Sequence, residues 1–388
     1  MLTTLAIANY RSLLDLTVPL HQLNTITGAN GSGKSNLYRA LRLLAETAQG
    51  GAVSSLAREG GLNSTLWAGP GSFSRAVRSG EQPVQHAVPK HPVNLKLGFA
   101  GDDFGYAIDL GLPVPGTSVF SLDPVIKREC IWSGPVLRPA AALVERRGAV
   151  VSCRRDDGKW EVIASHLPGF DSMMTHVADP RNAPEVAQLR ERIRGWRFYD
   201  HFRTDSGAPA RLPQVGTHTP VLGNDGADLA AAIQTIREIG DAAALDAAVD
   251  DAFPGSRIRT RGDERGRIEL EMLQHGLLRP LTSAELSDGT LRYLLWIAAL
   301  HTPRPPELLV LNEPETSLHP SLLPPLARLI VHAAKRSQVL VVSHATRLIA
   351  ALEREGKSHS IFLEKTLGET TIAGLHPLDK PAWRWPVR

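Results

Sequence analysis

Eight residues near the start of the chain, Gly28-Ala29-Asn30-Gly31-Ser32-Gly33-Lys34-Ser35, follow the pattern G-x-x-x-x-G-K-[ST]. Glycines let a backbone wrap closely around a phosphate, and a run of N–H groups leading into a helix favours negative charge. In such a loop Lys34 reaches the outer phosphates of a nucleoside triphosphate and Ser35 offers a hydroxyl to Mg2+, with Gly28, Asn30, Gly31, Gly33 and Asn36 completing the binding segment. The pattern needs a strand before it and a helix after it. Asn24-Thr25-Ile26-Thr27 is a short β-branched segment ending at a glycine. Beyond Ser35, Leu37, Ala40, Leu41, Leu44 and Ala45 recur at helical spacing until Gly50-Gly51 and Gly60-Gly61 break it off.

Three further segments carry chemistry. Leu308 to Leu311 is apolar on both faces, as a central parallel strand is, and delivers Asn312 and Glu313 to its C-terminal edge, where ligands sit in open α/β sheets. Glu313 is the candidate that orients and polarises an attacking water; a solvated carboxylate at a strand end is the plain alternative. Asn312 stands where phosphate-loop enzymes place an aspartate near the metal. An amide brings no charge, so Mg2+ is expected to be held less firmly and hydrolysis to be slow. Val339 to Val342 reads as a second buried strand ending in Ser343-His344, which sets an imidazole at the same edge. Glu285 to Thr290 precedes an apolar helix, Leu291 to Leu300. Ser287 there is either an ordinary helix cap or, with Gly289, part of a helix N-terminus suited to a phosphate.

The rest of the chain supplies scaffold. Alternating strands are expected at Val93 to Phe99, Tyr106 to Leu110, Ile126 to Trp132, Ala149 to Arg154 and Trp160 to Ile163, with Asp102-Asp103 and Asp156-Asp157-Gly158 as turns of an antiparallel sheet. Helices are expected at Ala183 to Arg194, Gly226 to Ile239 and Leu322 to Lys335. The organisation this predicts is an N-terminal lobe over residues 1–165, a helical and loop insertion over 166–280, and a C-terminal lobe over 281–388.

Composition bounds the function. With 388 residues, 43% hydrophobic and 21% charged, the chain can build a substantial core. No apolar run is long enough for a membrane span, so a soluble, cytoplasmic protein is expected. Cys130 and Cys153 read as small buried hydrophobes. A net charge of +3 neither demands nor excludes nucleic acid. Two arginine clusters, Arg190 to Arg203 and Arg257 to Arg267, read as ion-paired faces, with a DNA or RNA groove as the alternative.

In this order, GANGSGKS, SDGT, a strand ending in NEPETSLHP and a strand ending in SH resemble the ABC-type ATPase heads of the RecF, SMC and overcoming-lysogenisation-defect group. The closest resemblance is to small RecF-like ATPases of the AAA family without a coiled coil. The likeness covers the first fifty residues and the chain beyond about residue 280 well, and the middle loosely. It implies an α/β fold, an ABC-type ATPase head with a mostly parallel P-loop sheet, an antiparallel β subdomain and a helical insertion. It further implies ATP and Mg2+ as ligands and Ser35 and Asn312 at the metal. Asn9-Tyr10-Arg11-Ser12 resembles the segment in which an arginine, here Arg11, approaches the nucleotide. Ser287 and Gly289 would touch the γ-phosphate held by Lys34 of a second copy, Ser317 to Pro320 would cross the interface of that homodimer, and His344 would sense the γ-phosphate. Gln82 and Gln85 are both candidates for the lobe-connecting glutamine. The implied activity is an ATP-driven dimerisation switch with slow hydrolysis, in DNA-related or defence processes, acting on DNA or on a protein effector. The roughly forty residues after His344 are too few for the metal-binding domain of the lysogenisation-defect nucleases, so no nuclease activity is expected. Trp383 and Trp385 are expected to dock that tail onto the core.

Overall fold

A computed structural model of the protein describes residues 1–70, 94–114, 116–177, 179–376 and 378–387. Val93, Gln82 and Gln85 lie outside the described residues. The chain opens with β1 (Leu2–Tyr10), β2 (Leu13–Pro19) and β3 (Leu23–Gly28), followed by α1 (Lys34–Thr47), α2 (Ala52–Arg58) and α3 (Leu62–Thr65). Next come β4 (Leu95–Gly101), β5 (Phe104–Gly111), β6 (Val125–Ser133), β7 (Ala142–Arg147), β8 (Val150–Arg154), β9 (Trp160–Ala164), α4 (Met173–His176) and α5 (Pro184–Arg194). After β10 (Arg197–Tyr199) and β11 (Gln214–Val215) stand α6 (Leu229–Ile239), α7 (Ala242–Ala252), β12 (Arg257–Gly262), β13 (Arg267–Leu273) and β14 (Leu281–Thr282). The last stretch runs α8 (Asp288–Leu300), β15 (Leu308–Asn312), α9 (Leu323–Ala333), β16 (Gln338–Val342), α10 (Thr346–Glu355), β17 (His359–Thr366) and β18 (Glu369–Ile372).

These elements form two compact units. The first comprises Met1–His21, Thr27–Gly195 and Ile361–Arg388; the second comprises Gln22–Ile26 and Trp196–Ser360. In the first, eight strands form an antiparallel sheet in the order β2-β1-β4-β5-β6-β7-β8-β9. Helix α1 packs on β1 and β4 through the stripe read from the sequence, with Leu37, Leu41 and Leu44 buried. Each such leucine contributes about 2 kcal/mol. The sheet also buries an ion pair, Arg146 with Glu129 at 3.0 Å. It is saturated: Glu129 accepts from the Tyr106 hydroxyl and the Met173 N–H, and Arg146 donates to the carbonyls of Gly148, Pro168 and Asp171. Full satisfaction is what makes a buried charge tolerable. At the other end of the chain Trp383 stands edge-on to Trp132, with ring centroids 5.6 Å apart, and Trp385 edge-on to Trp383, so the tail docks on the core as expected.

In the second unit β10, β15, β16 and the Leu23–Ile26 part of β3 lie side by side and parallel. All of Leu308–Leu311 and Gln338–Val342 is buried, which accounts for their unbroken apolar runs. Helix α8 is buried from Leu291 to Leu300. The 166–280 stretch holds the expected helices and, in addition, an antiparallel sheet in which β13 pairs with β11, β12 and β14. Its arginine-rich strand β12 conceals an alternation in which Ile258 is buried between exposed Arg257 and Arg259. Much of the two arginine clusters is ion-paired: Arg259 and Arg261 both face buried Glu271, Arg267 meets Asp263, Arg194 meets Glu191, and Arg203 meets Asp205.

Candidate functional site

The phosphate-loop sequence turns through three glycines with φ of +144° at Gly28, +79° at Gly31 and +108° at Gly33. A side chain on Gly28 would run into the Leu363 carbonyl, and one on Gly33 into Thr370, so glycine is required twice over. Helix α1 starts at Lys34 with no side-chain cap and no acidic residue in its first turn. Its leading N–H groups therefore carry an uncompensated positive field. Lys34 is buried, and its ammonium donates to the carbonyls of Gly28 at 2.7 Å and Ala29 at 3.1 Å. Ser32 Oγ is buried with no hydrogen-bond partner. Ser35 and Asn30 are exposed. A buried cation, an unpaired hydroxyl and an open helix N-terminus are the donor set a polyphosphate requires, so these residues fit the nucleotide they were expected to bind.

The loop is braced from outside. Thr370 of β18 donates its hydroxyl to the Ser32 carbonyl at 2.8 Å and shares a hydrogen bond of 2.7 Å with Ser12; Asn36 donates to Ser12 Oγ at 2.8 Å. Arg11 has φ of +51°, and its guanidinium is held 2.7 Å from Glu59, which also accepts from the Tyr10 hydroxyl at 2.7 Å. Burial, with Glu59 beside it, pushes the Tyr10 hydroxyl well above its usual pKa and keeps it a donor.

In the second unit the sheet brings the remaining candidates to one edge. Asn312, Val342 and Ile26 fall in one row, and the ladder continues as Glu313 N–H donates to the Val342 carbonyl and Ser343 N–H to that of Ile26. Glu313 has φ of +48°, and its carboxylate lies 3.5 Å from His344 Nδ1. Both side chains are partly exposed, Glu313 by 43% and His344 by 53%. Glu315 is buried and accepts from the Ser343 hydroxyl at 2.6 Å and the His344 N–H at 3.3 Å, while its second oxygen has no partner. Among the described residues no group of three or more His, Cys, Asp or Glu is arranged to hold a metal.

Ser287 caps α8, its hydroxyl accepting from the Thr290 N–H at 3.2 Å. A Cβ built on Gly289 would stand 3.4 Å from the Ser317 carbonyl, so these two segments adjoin. Glu285, just ahead of the cap, is held ionised, its pKa lowered to about 2 by the Arg279 guanidinium and the Thr282 N–H. Two arginines missed in the sequence organise this surface. Arg211, 8% exposed, donates to the carbonyls of Ser283, Ala284 and Leu286 and to Asp288. Arg292 donates to the Thr316 carbonyl at 2.8 Å and to the Phe202 carbonyl at 3.1 Å. The only sequence signal for Arg292 is its place as a cation in an otherwise apolar helix.

A protein-family model described as "AAA domain, putative AbiEii toxin, Type IV TA system" matches residues 23–350. A crystal structure of the SMC head bound to the C-winged helix domain of ScpA aligns over 96% of this chain and 97% of its own, at 13% identity and a TM-score of 0.51, a likeness of fold. The SMC head domain from Thermotoga maritima aligns over 96% of this chain and 98% of its own, at 13% identity and a TM-score of 0.45. For the Smc head with an extended coiled coil from Pyrococcus furiosus, bound to the C-terminal domain of ScpA, the figures are 96%, 95%, 13% and 0.48. No curated protein matches the chain.

Proposed function

The chain belongs to that AAA-domain family and has the fold of an ABC-type P-loop ATPase head of the RecF and SMC group; from this premise we propose that it is a slow, ATP-driven dimerisation switch that reports its nucleotide state to a partner protein. It is an ATP-binding protein of an ATPase family. In the proposed reaction Lys34 and the loop amides would hold the phosphates, and Ser35 and Asn312 are the residues that would hold Mg2+. Glu313 polarises the attacking water and His344 senses the γ-phosphate. Bound Mg2+ supplies charge neutralisation of the phosphates.

The observation that carries the reading is the surface on which Ser287, Gly289 and Ser317 adjoin. A capped helix N-terminus with a glycine and exposed hydroxyls suits the triphosphate bound by a second copy, and a two-fold pair then completes two sites. The ion pairs of Arg259, Arg261 and Arg267 weigh against a DNA groove on that strand pair. A Glu313→Gln protein should bind ATP, stall before hydrolysis and run as a dimer in light-scattering chromatography. A monomer at saturating ATP would overturn the switch.

Asn312 supports a second reading, an ATP-binding regulator of a separate effector with little hydrolysis. Asn312→Asp then raises turnover by restoring charge near the metal. Unchanged turnover would remove the basis for this reading.

A further inference from the structure

Resting on the dimer reading above, we propose that Arg211 is a positioning residue: it presets the Ser287–Gly289 segment and cancels the charge of Asp288, making that segment competent for a second copy's triphosphate. Arg211 ends a short turn, Pro209–Arg211, far in sequence from the segment it holds. Its Nε donates to the carbonyls of Thr204 and Asp205, at 2.9 and 3.1 Å. One terminal nitrogen donates to the carbonyls of Ser283 and Ala284 at 3.1 Å and of Leu286 at 2.7 Å. The other donates to Asp288 Oδ1 at 2.6 Å. The approach to α8 is thus shaped by one planar, five-donor group, which a lysine cannot imitate.

The charge follows from the same geometry. Asp288 sits next to Ser287 in the first turn of α8, and its side chain is 62% exposed. An unpaired carboxylate there would repel an incoming phosphate, and so solvated a pair adds little to stability. The buried guanidinium at its side removes the repulsion while leaving Ser287 and Gly289 presented. Thr204 extends the brace. Its carbonyl accepts from Arg211 and its hydroxyl from Arg292, which in turn holds the Thr316 carbonyl. The cap segment and the 316–317 turn are thereby fixed through one residue.

The test uses the full chain in the Glu313→Gln background, with Arg211→Lys, Arg211→Gln and Arg211→Gln combined with Asp288→Asn. At protein concentrations where the chain stays monomeric, labelled-ATP affinity should be unchanged, while the ATP-dependent dimer dissociation constant rises about tenfold or more in both single variants. Removing the Asp288 charge should recover part of that loss in the Gln variant. Hydrogen exchange should quicken at the amides of 283–288 and not in β15. Dimerisation and exchange equal to the parent would overturn the proposal, as would loss of ATP binding together with faster exchange throughout, which marks a residue of the fold alone. A parent that fails to dimerise refutes the switch instead; exchange then decides, local quickening supporting the clamp and no change refuting it.

Discussion

Replacing Thr370 by valine removes one oxygen from the brace behind the phosphate loop and leaves the side chain's shape intact. The direction of the hydrogen bonds sets the cost. Thr370 has a single hydroxyl proton, which goes to the Ser32 carbonyl at 2.8 Å. Ser12 therefore donates its own proton to Thr370 Oγ1 at 2.7 Å and accepts the Asn36 amide N–H at 2.8 Å. Valine leaves the Ser32 carbonyl without a donor and the Ser12 hydroxyl proton without an acceptor, although Ser12 still accepts from Asn36, at a place where residue 370 is 1% exposed and Ser32 2%. Orphaning two buried groups costs together about 3 kcal/mol. For a unit of this size that lowers the melting temperature by on the order of 10 °C. Freed from Thr370, the Ser32 peptide turns, misdirecting loop amides, and ATP affinity falls about tenfold. Thr370→Ser keeps the hydroxyl and should bind as the parent does. Calorimetry and titration with a fluorescent ATP analogue read both effects. A valine variant with parental melting temperature and affinity would refute the relay as the brace of the loop.

Acid should weaken the second unit through His301. It is 6% exposed, its ring centroid lies 5.1 Å from that of His332, and burial, then the His332 charge, lowers its pKa from 6.5 to about 4, with Asp241 pulling the other way and Arg336 adding a smaller push down. Because the folded value is depressed, the contribution is intact above pH 6.5 and is lost as the pH falls from 6.5 to about 4, amounting to about 3 kcal/mol. Urea unfolding of His301→Gln should show a flatter pH dependence across that window; an identical slope would place the titrating group elsewhere.

What could be read from the sequence follows from where the information sits. The loop at Gly28–Ser35, the strands at Leu308 and Val339 and the stripe of α1 are local patterns, in which periodicity and glycine placement are enough. The braces are not local. Thr370 reaches Ser32 across 338 residues, and Arg211 reaches Leu286 across 75 and Asp288 across 77. Nothing in the neighbourhood of either residue signals its partner. Charge also hid structure: Glu145 and the flanking arginines disguised β7, and the arginines of β12 read as a solvated run although Ile258 alternates with them into the core. After His344, α10 and the β17–β18 hairpin lack strong apolar runs, so the sequence pattern does not announce them. The hairpin nevertheless supplies Thr370.

The claim that each nucleotide site is shared between two copies is tested most directly by mixing two inactive proteins. Lys34→Ala has a dead loop and an intact Ser287 segment, and Ser287→Arg has the reverse. Each alone should hydrolyse no ATP. Mixed, they form heterodimers in which the sound loop of one meets the sound segment of the other, and steady-state phosphate release should reappear. A mixture as inactive as its components would contradict the shared site.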